Sequence, residues 1–88
     1  MVKYKIAFTK QAEKDKKLLK GAKLDKKVIQ ILKKMEEDPY YNHFSFEPLS
    51  GDLAGLYSRR INHKHRLVYA VYEDKRVILI MRMWSHYV

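Results

Sequence analysis

Apolar and polar positions alternate at the start of the chain. Tyr4, Ile6 and Phe8 interleave with Lys3, Lys5 and the small Ala7, and this two-residue period predicts a strand over residues 2–8. Thr9 supplies a hydroxyl suited to capping a helix N-terminus. A strongly charged helix is predicted over 10–20, with Ala12, Leu18 and Leu19 its clearly apolar members and Gly21 as its stop. The period then lengthens. Leu24, Val28, Ile31, Leu32 and Met35 fall at i, i+4, i+7, i+8 and i+11, one apolar stripe on a helix over 24–37. Pro39 closes that helix. Glu36, Glu37 and Asp38 crowd its C-terminal end, where the helix dipole disfavours acids, and the pattern offers no structural reason for them.

Residues 39–46 read as an aromatic loop carrying Tyr40, Tyr41, Phe44 and Phe46. From Leu56 onward the pattern is β, with strands predicted over 55–62, 65–73 and 76–84. The gaps Asn62-His63-Lys64 and Glu73-Asp74-Lys75 are short enough for hairpins, so these strands pair antiparallel. Leu67-Val68-Tyr69-Ala70-Val71 is apolar on both pleat faces, as in a central strand covered on both sides. The order β-α-α-β-β-β gives an α+β fold, with two N-terminal helices packed on one face of a small, mostly antiparallel sheet. With 88 residues and no linker, repeat or low-complexity stretch, residues 1–88 are expected to form a single domain. A core this small suits a chain that has a partner or dimerises.

Composition narrows the function. There are no cysteines, which removes disulfides and thiolate–metal sites and fits a reducing cytoplasm. No apolar signal core follows the N-terminus and no apolar run approaches membrane-spanning length, so a cytoplasmic protein without a membrane partner is expected. The net charge is +9, and its distribution is uneven. Residues 1–34 hold twelve lysines against Glu13, Asp15 and Asp25; residues 35–88 balance seven cations with seven acids, and all five arginines lie there. Lysine is a strongly hydrated point charge suited to long-range attraction, whereas arginine is the better phosphate fork. Lys16, Lys17, Lys20, Lys26 and Lys27 therefore read as an RNA- or ribosome-attracting surface, against the plainer reading of a solvated face.

The chemistry concentrates in five side chains: Glu47, Arg60, Arg66, His86 and Tyr87. A carboxylate, guanidiniums and an imidazole are the groups that can take a proton from a 2′-hydroxyl, hold a phosphate and protonate a leaving oxygen. Strand alternation puts Arg60 on one face with Leu56 and Ser58, and Arg66 with Val68 and Ala70. If the register allows, both guanidiniums share a face and an anion between them relieves their repulsion. The structural alternative is surface ion pairs from Arg59 and Arg60 to Glu73 or Asp74. Arg59 alternates to the opposite face from Arg60, where a structural role is expected, and it stands beside the lysines as a further candidate RNA contact. Glu47 precedes Pro48, which favours an extended backbone and a carboxylate held at a sheet edge. It reads either as a general base or as an ion pair that positions an arginine. His65 points away from Arg66 and reads as structural; His43 and His63 read as loop residues. The histidines show no i, i+4 pair, and no metal or other cofactor is expected.

The run Glu47-Pro48-Leu49, Gly55-Leu56-Tyr57-Ser58-Arg59-Arg60-Ile61, His65-Arg66-Leu67-Val68-Tyr69-Ala70-Val71 and His86-Tyr87 resembles the YoeB/Txe branch of the RelE-type bacterial toxins. The likeness is specific over about residues 46–72 and at His86-Tyr87. It implies a ribosome-dependent, metal-independent endoribonuclease that cleaves mRNA in the A site and leaves a 2′,3′-cyclic or 3′-phosphate. It implies Glu47 as general base, His86 as general acid, Tyr87 as the residue that stacks on or orients RNA, a homodimer, and a neutralising YefM/Axe-like antitoxin. The chain departs from the family pattern in four places. Ser45-Phe46 replaces Lys-Pro before the glutamate, Ser50 replaces a lysine, residues 82–87 run about one residue long, and Val88 follows the terminal tyrosine. A non-catalytic RNA-binding module and an inactive relative that only forms a repressor complex with an antitoxin are the alternatives.

Overall fold

The computed structural model describes residues 3–42 and 45–85. Strand β1 (Lys5–Phe8) passes through Thr9 into helix α1 (Lys10–Gly21), and helix α2 (Asp25–Glu37) follows. Then come the two-residue strand β2 (Glu47–Pro48), one 3-10 turn (Gly51–Leu53), β3 (Leu56–Arg60), β4 (Arg66–Tyr72) and β5 (Val77–Ser85). The five strands form one sheet in the order β1-β5-β4-β3-β2. Every neighbouring pair is antiparallel except β1 and β5, which run parallel. The predicted α+β order and both hairpins are present. Strand β2 was not predicted: two residues, one of them proline, carry no period, and an edge is where a sheet admits proline.

Local chemistry explains most of the element ends. Thr9 is extended, and its hydroxyl accepts the Ala12 N–H at 3.1 Å, capping α1. Gly21 is the last residue of α1 and does not turn the chain; the left-handed residue before α2 is Lys23, with φ of 61°. The stripe on α2 packs as its spacing predicts, with Val28, Ile31 and Met35 buried and Leu24 and Leu32 partly so. Asp38, out of place as a helix-end charge, accepts the Tyr40 N–H at 3.0 Å and builds the turn after α2. On α1 the buried face is Ala12, Asp15 and Leu19, and Leu18 points outward, 47% exposed.

The helices cover one face of the sheet, where Ile61, Leu67, Tyr69, Ile78, Ile80 and Met83 complete the core. Both pleat faces of β4 are buried, as its apolar run predicts, yet Val68 and Ala70 lie on the far side from that core. No helix among the described residues is long and apolar enough to cross a membrane.

Strand β5 is irregular near its end. From Tyr69↔Ile80 to Tyr72↔Val77 it pairs with β4 in one register, but Val68 opposes Arg82 and Arg66 opposes Ser85. One residue is thus gained at Met81, and the pair Met83–Trp84 faces Leu67 alone, two successive bulges. Because side chains alternate, the first extra residue reverses which of Arg82 and Met83 faces inward. Met83 is fully buried in the core and the Arg82 side chain is one-third exposed.

Candidate functional site

Three neighbouring strands build one surface on the sheet face away from the helices. Glu47 on β2 stands opposite Ser58 on β3, and Arg60 on β3 stands opposite Arg66 on β4. The Ile61 N–H donates to the His65 carbonyl at 2.9 Å, so Arg60 and Arg66, one step along, form a non-hydrogen-bonded pair, the closer of the two antiparallel pair types. Like charges directly opposite are destabilising, which marks this pair as a place where an anion is welcome. The Arg66 guanidinium turns toward β2. It lies 3.5 Å from Glu47 Oε1 and donates to Ser58 Oγ at 3.3 Å. Its side chain is 20% exposed against 59% for Glu47, so the arginine is fixed and the carboxylate is open to solvent. Arg60 is exposed and has no ion pair or hydrogen bond among the described residues.

The sequence put Glu47 at a sheet edge and let Arg60 and Arg66 share a face if the register allowed; the register does, and the structure brings all three together. Ser58 is an addition; nearly fully buried, it steadies Arg66, and its place two residues before Arg60 on the same pleat face was the available signal. His86 and Tyr87 lie outside the described residues, as do His43 and Phe44. In the sequence His86 and Tyr87 follow Ser85, which pairs in register with Arg66.

Arg59 is a correction. It is 0% exposed and has no surface to offer RNA. Its guanidinium donates to the Pro39 and Tyr41 carbonyls at 2.8 Å each and to Tyr69 Oη at 3.1 Å, and it lies 3.9 Å over the Tyr41 ring. Arg59 therefore pins the aromatic loop to the sheet. Burial pushes the Tyr69 phenol up from its ordinary pKa, so it stays protonated and donates to the Pro39 carbonyl at 2.6 Å. The alternative ion pairs to Glu73 do not form. Glu73 accepts from Tyr4 at 2.6 Å and from Tyr40, and pairs with Arg76.

Lys16, Lys17, Lys20, Lys26 and Lys27 are all exposed on the helices, across the sheet from the arginine pair. Lys16 is engaged locally, ion-paired with Glu13 at 2.6 Å and 3.7 Å over the Phe8 ring. His65 is buried and structural as expected, its ring stacked on Trp84 with centroids 3.8 Å apart. Among the described residues no three histidines or acids are grouped to hold a metal.

The profile of a protein family described as "YoeB-like toxin of bacterial type II toxin-antitoxin system" matches residues 8–87. The chain belongs to this family. It is 38% identical over 91 residues to the toxin YoeB of Synechocystis sp., covering 94% of this chain and 96% of that one. Among solved structures, a YoeB dimer from Staphylococcus aureus superposes with a TM-score of 0.83 at 36% identity, covering 97% of this chain and 99% of that one. A heterotetrameric YoeB–YefM toxin–antitoxin complex from the same organism gives 0.81 at 37% identity, covering 96% and 98%. The chain is thus a YoeB-type toxin of a toxin–antitoxin system, on the RelE-like fold that its element order predicts.

Proposed function

We propose that residues 1–88 form one toxin domain that acts in the cytoplasm as a ribosome-dependent endoribonuclease on mRNA in the A site. The observation that carries this reading is the Arg60–Arg66 cross-strand pair with the Glu47 carboxylate 3.5 Å from Arg66. Glu47 takes the proton from a 2′-hydroxyl, and the resulting oxygen attacks the adjacent phosphorus. Arg60 and Arg66 hold the non-bridging oxygens as their charge grows, the largest single contribution expected in such a site. His86 gives a proton to the departing 5′-oxygen, and Tyr87 stacks on the RNA. The products are a 2′,3′-cyclic phosphate and a 5′-hydroxyl. No metal is required, because the nucleophile belongs to the substrate. The long, solvent-open Glu47–Arg66 contact suits a carboxylate that must exchange its partner for the substrate hydroxyl.

A YefM-type antitoxin and a homodimer are proposed as partners, by analogy with the assemblies that the S. aureus relatives form. Cleavage of mRNA on programmed ribosomes, in chelator and under single-turnover conditions, tests the activity. The parent should cut and leave a cyclic phosphate. Arg66→Ala should lose about a hundredfold or more in rate, the usual cost of removing one such group, while still binding antitoxin. A parent that binds RNA without cutting it would establish the non-catalytic alternative. A variant within a few-fold of the parent would remove Arg66 from the chemistry.

A further inference from the structure

One buried charge has no part in that chemistry. Asp15 is 0% exposed on the inner face of α1, between the core residues Ala12 and Leu19. A carboxylate so buried must be satisfied in full or it destabilises the fold. Its partners are all on the irregular end of β5, apart from Gln11 on its own helix at 3.2 Å. Oδ2 accepts the Met83 N–H at 2.8 Å, the Trp84 N–H at 3.2 Å and Arg82 Nε at 3.2 Å. Met83 and Trp84 are the two residues that together face Leu67. A bulge leaves such amides without a full place in the ladder, and here the helix supplies the acceptor. The other bulge is held by the N-cap residue of the same helix. The Thr9 hydroxyl donates to the Met81 carbonyl at 2.9 Å while it caps α1.

These contacts lead to the site in few steps. Trp84, tied through its amide to Asp15, stacks on His65, and His65 precedes Arg66. Ser85, next in the chain, pairs in register with Arg66 and is followed by His86. Without the bulges, Met83 and Arg82 would exchange sides and the strand would meet Arg66 one or two residues out of step. We propose that Asp15 is a positioning residue: by fixing the doubled bulge of β5 it sets the register in which the strand meets Arg66. The inference rests on the endoribonuclease reading above. Asp15 touches no substrate; it acts through the backbone of residues 83 and 84.

The test compares full-length variants in single-turnover cleavage over a range of ribosome concentrations, with amide NMR shifts of Met83 and Trp84. Asp15→Ala should lower the rate at saturation about tenfold or more and leave the half-saturating concentration within about twofold, as misplacement of catalytic groups does. Its Met83 and Trp84 shifts should move. Asp15→Asn keeps the shape and one acceptor oxygen, and should stay within about threefold of the parent with near-parental shifts. Val28→Ala, a core truncation on α2, controls for lost stability and should cut at the parental rate. If Asp15→Ala does not fold, Asp15→Glu carries the comparison, because it keeps the charge and displaces the acceptor by one methylene. A parental rate in the folded Ala or Glu variant overturns the inference, and so does an equal loss in Val28→Ala. A parent that cuts nothing overturns the functional reading first. Unmoved Met83 and Trp84 amides in the variant overturn the clamp itself.

Discussion

At the scale of single residues, two adjacent arginines show how one step along a strand decides a role. Arg60 reaches solvent on the face it shares with Arg66, while Arg59 is enclosed by carbonyls and aromatic rings. Truncating Arg59 opens a cavity and strips donors from the part-buried Tyr41 carbonyl and the buried Tyr69 hydroxyl. Arg59→Ala is therefore expected to cost about 3–5 kcal/mol in urea unfolding, a large share of the stability of a small domain. Arg60→Ala, on the exposed side, should change stability by less than about 0.5 kcal/mol. Alternation alone separated the two residues. It could not reveal that the Arg59 pocket is built from Pro39 and Tyr41, some twenty residues away.

At the scale of elements, α1 and β5 are tied by a carboxylate, and this gives the fold an acid sensitivity. Burial of Asp15 opposes its ionisation, but the hydrogen bonds from Met83, Gln11 and Arg82, with the Arg82 charge, outweigh it and hold the carboxyl below its ordinary pKa. A depressed folded-state pKa adds stability above the unfolded value, near 4, and that stability is lost as pH falls through the folded value. Asp15→Asn should thus be less stable than the parent at pH 7, and the two should converge on acidification below about pH 4, as thermal melts across pH would show. A gap that stays constant with pH would remove the charge from the account. Helix α2 and the long strands were legible in the sequence because their apolar periods span several turns or pleats, and α1 from its Thr9 cap and the strand before it. Strand β2 and the bulges of β5 were not, because an inserted residue leaves the composition unchanged and only breaks a period already short. Asp15 was legible in principle: at 12, 15 and 19 it interrupts an apolar face at helical spacing, and an acid there asks for a donor.

At the scale of the whole molecule, the two kinds of cation are on opposite sides. The lysines ride the outer faces of the helices and the arginine pair occupies the uncovered face of the sheet. Attraction and chemistry should therefore respond separately to mutation. Neutralising Lys17, Lys20, Lys26 and Lys27 should weaken ribosome binding and flatten its salt dependence, by nearly one log–log unit for each phosphate that is no longer neutralised, with the saturated cleavage rate unchanged. Binding titrations from low to physiological salt would measure it, and an unchanged slope would reduce the lysine face to a solubility device.

The parallel pairing of β1 with β5 joins opposite ends of the chain. Thr9 and Met81, which bond where these strands meet, are 72 residues apart in sequence. Such a contact carries a large loop-closure cost, and no local element can stand in for it. During synthesis β1, α1 and α2 emerge first and have no β5 to pack against, so their apolar faces wait until β5 has been made. Folding is thereby tied to the synthesis of β5, and a nascent chain stopped after Tyr72 would have every lysine of its helices but neither the closing strand nor the turn that leads into it.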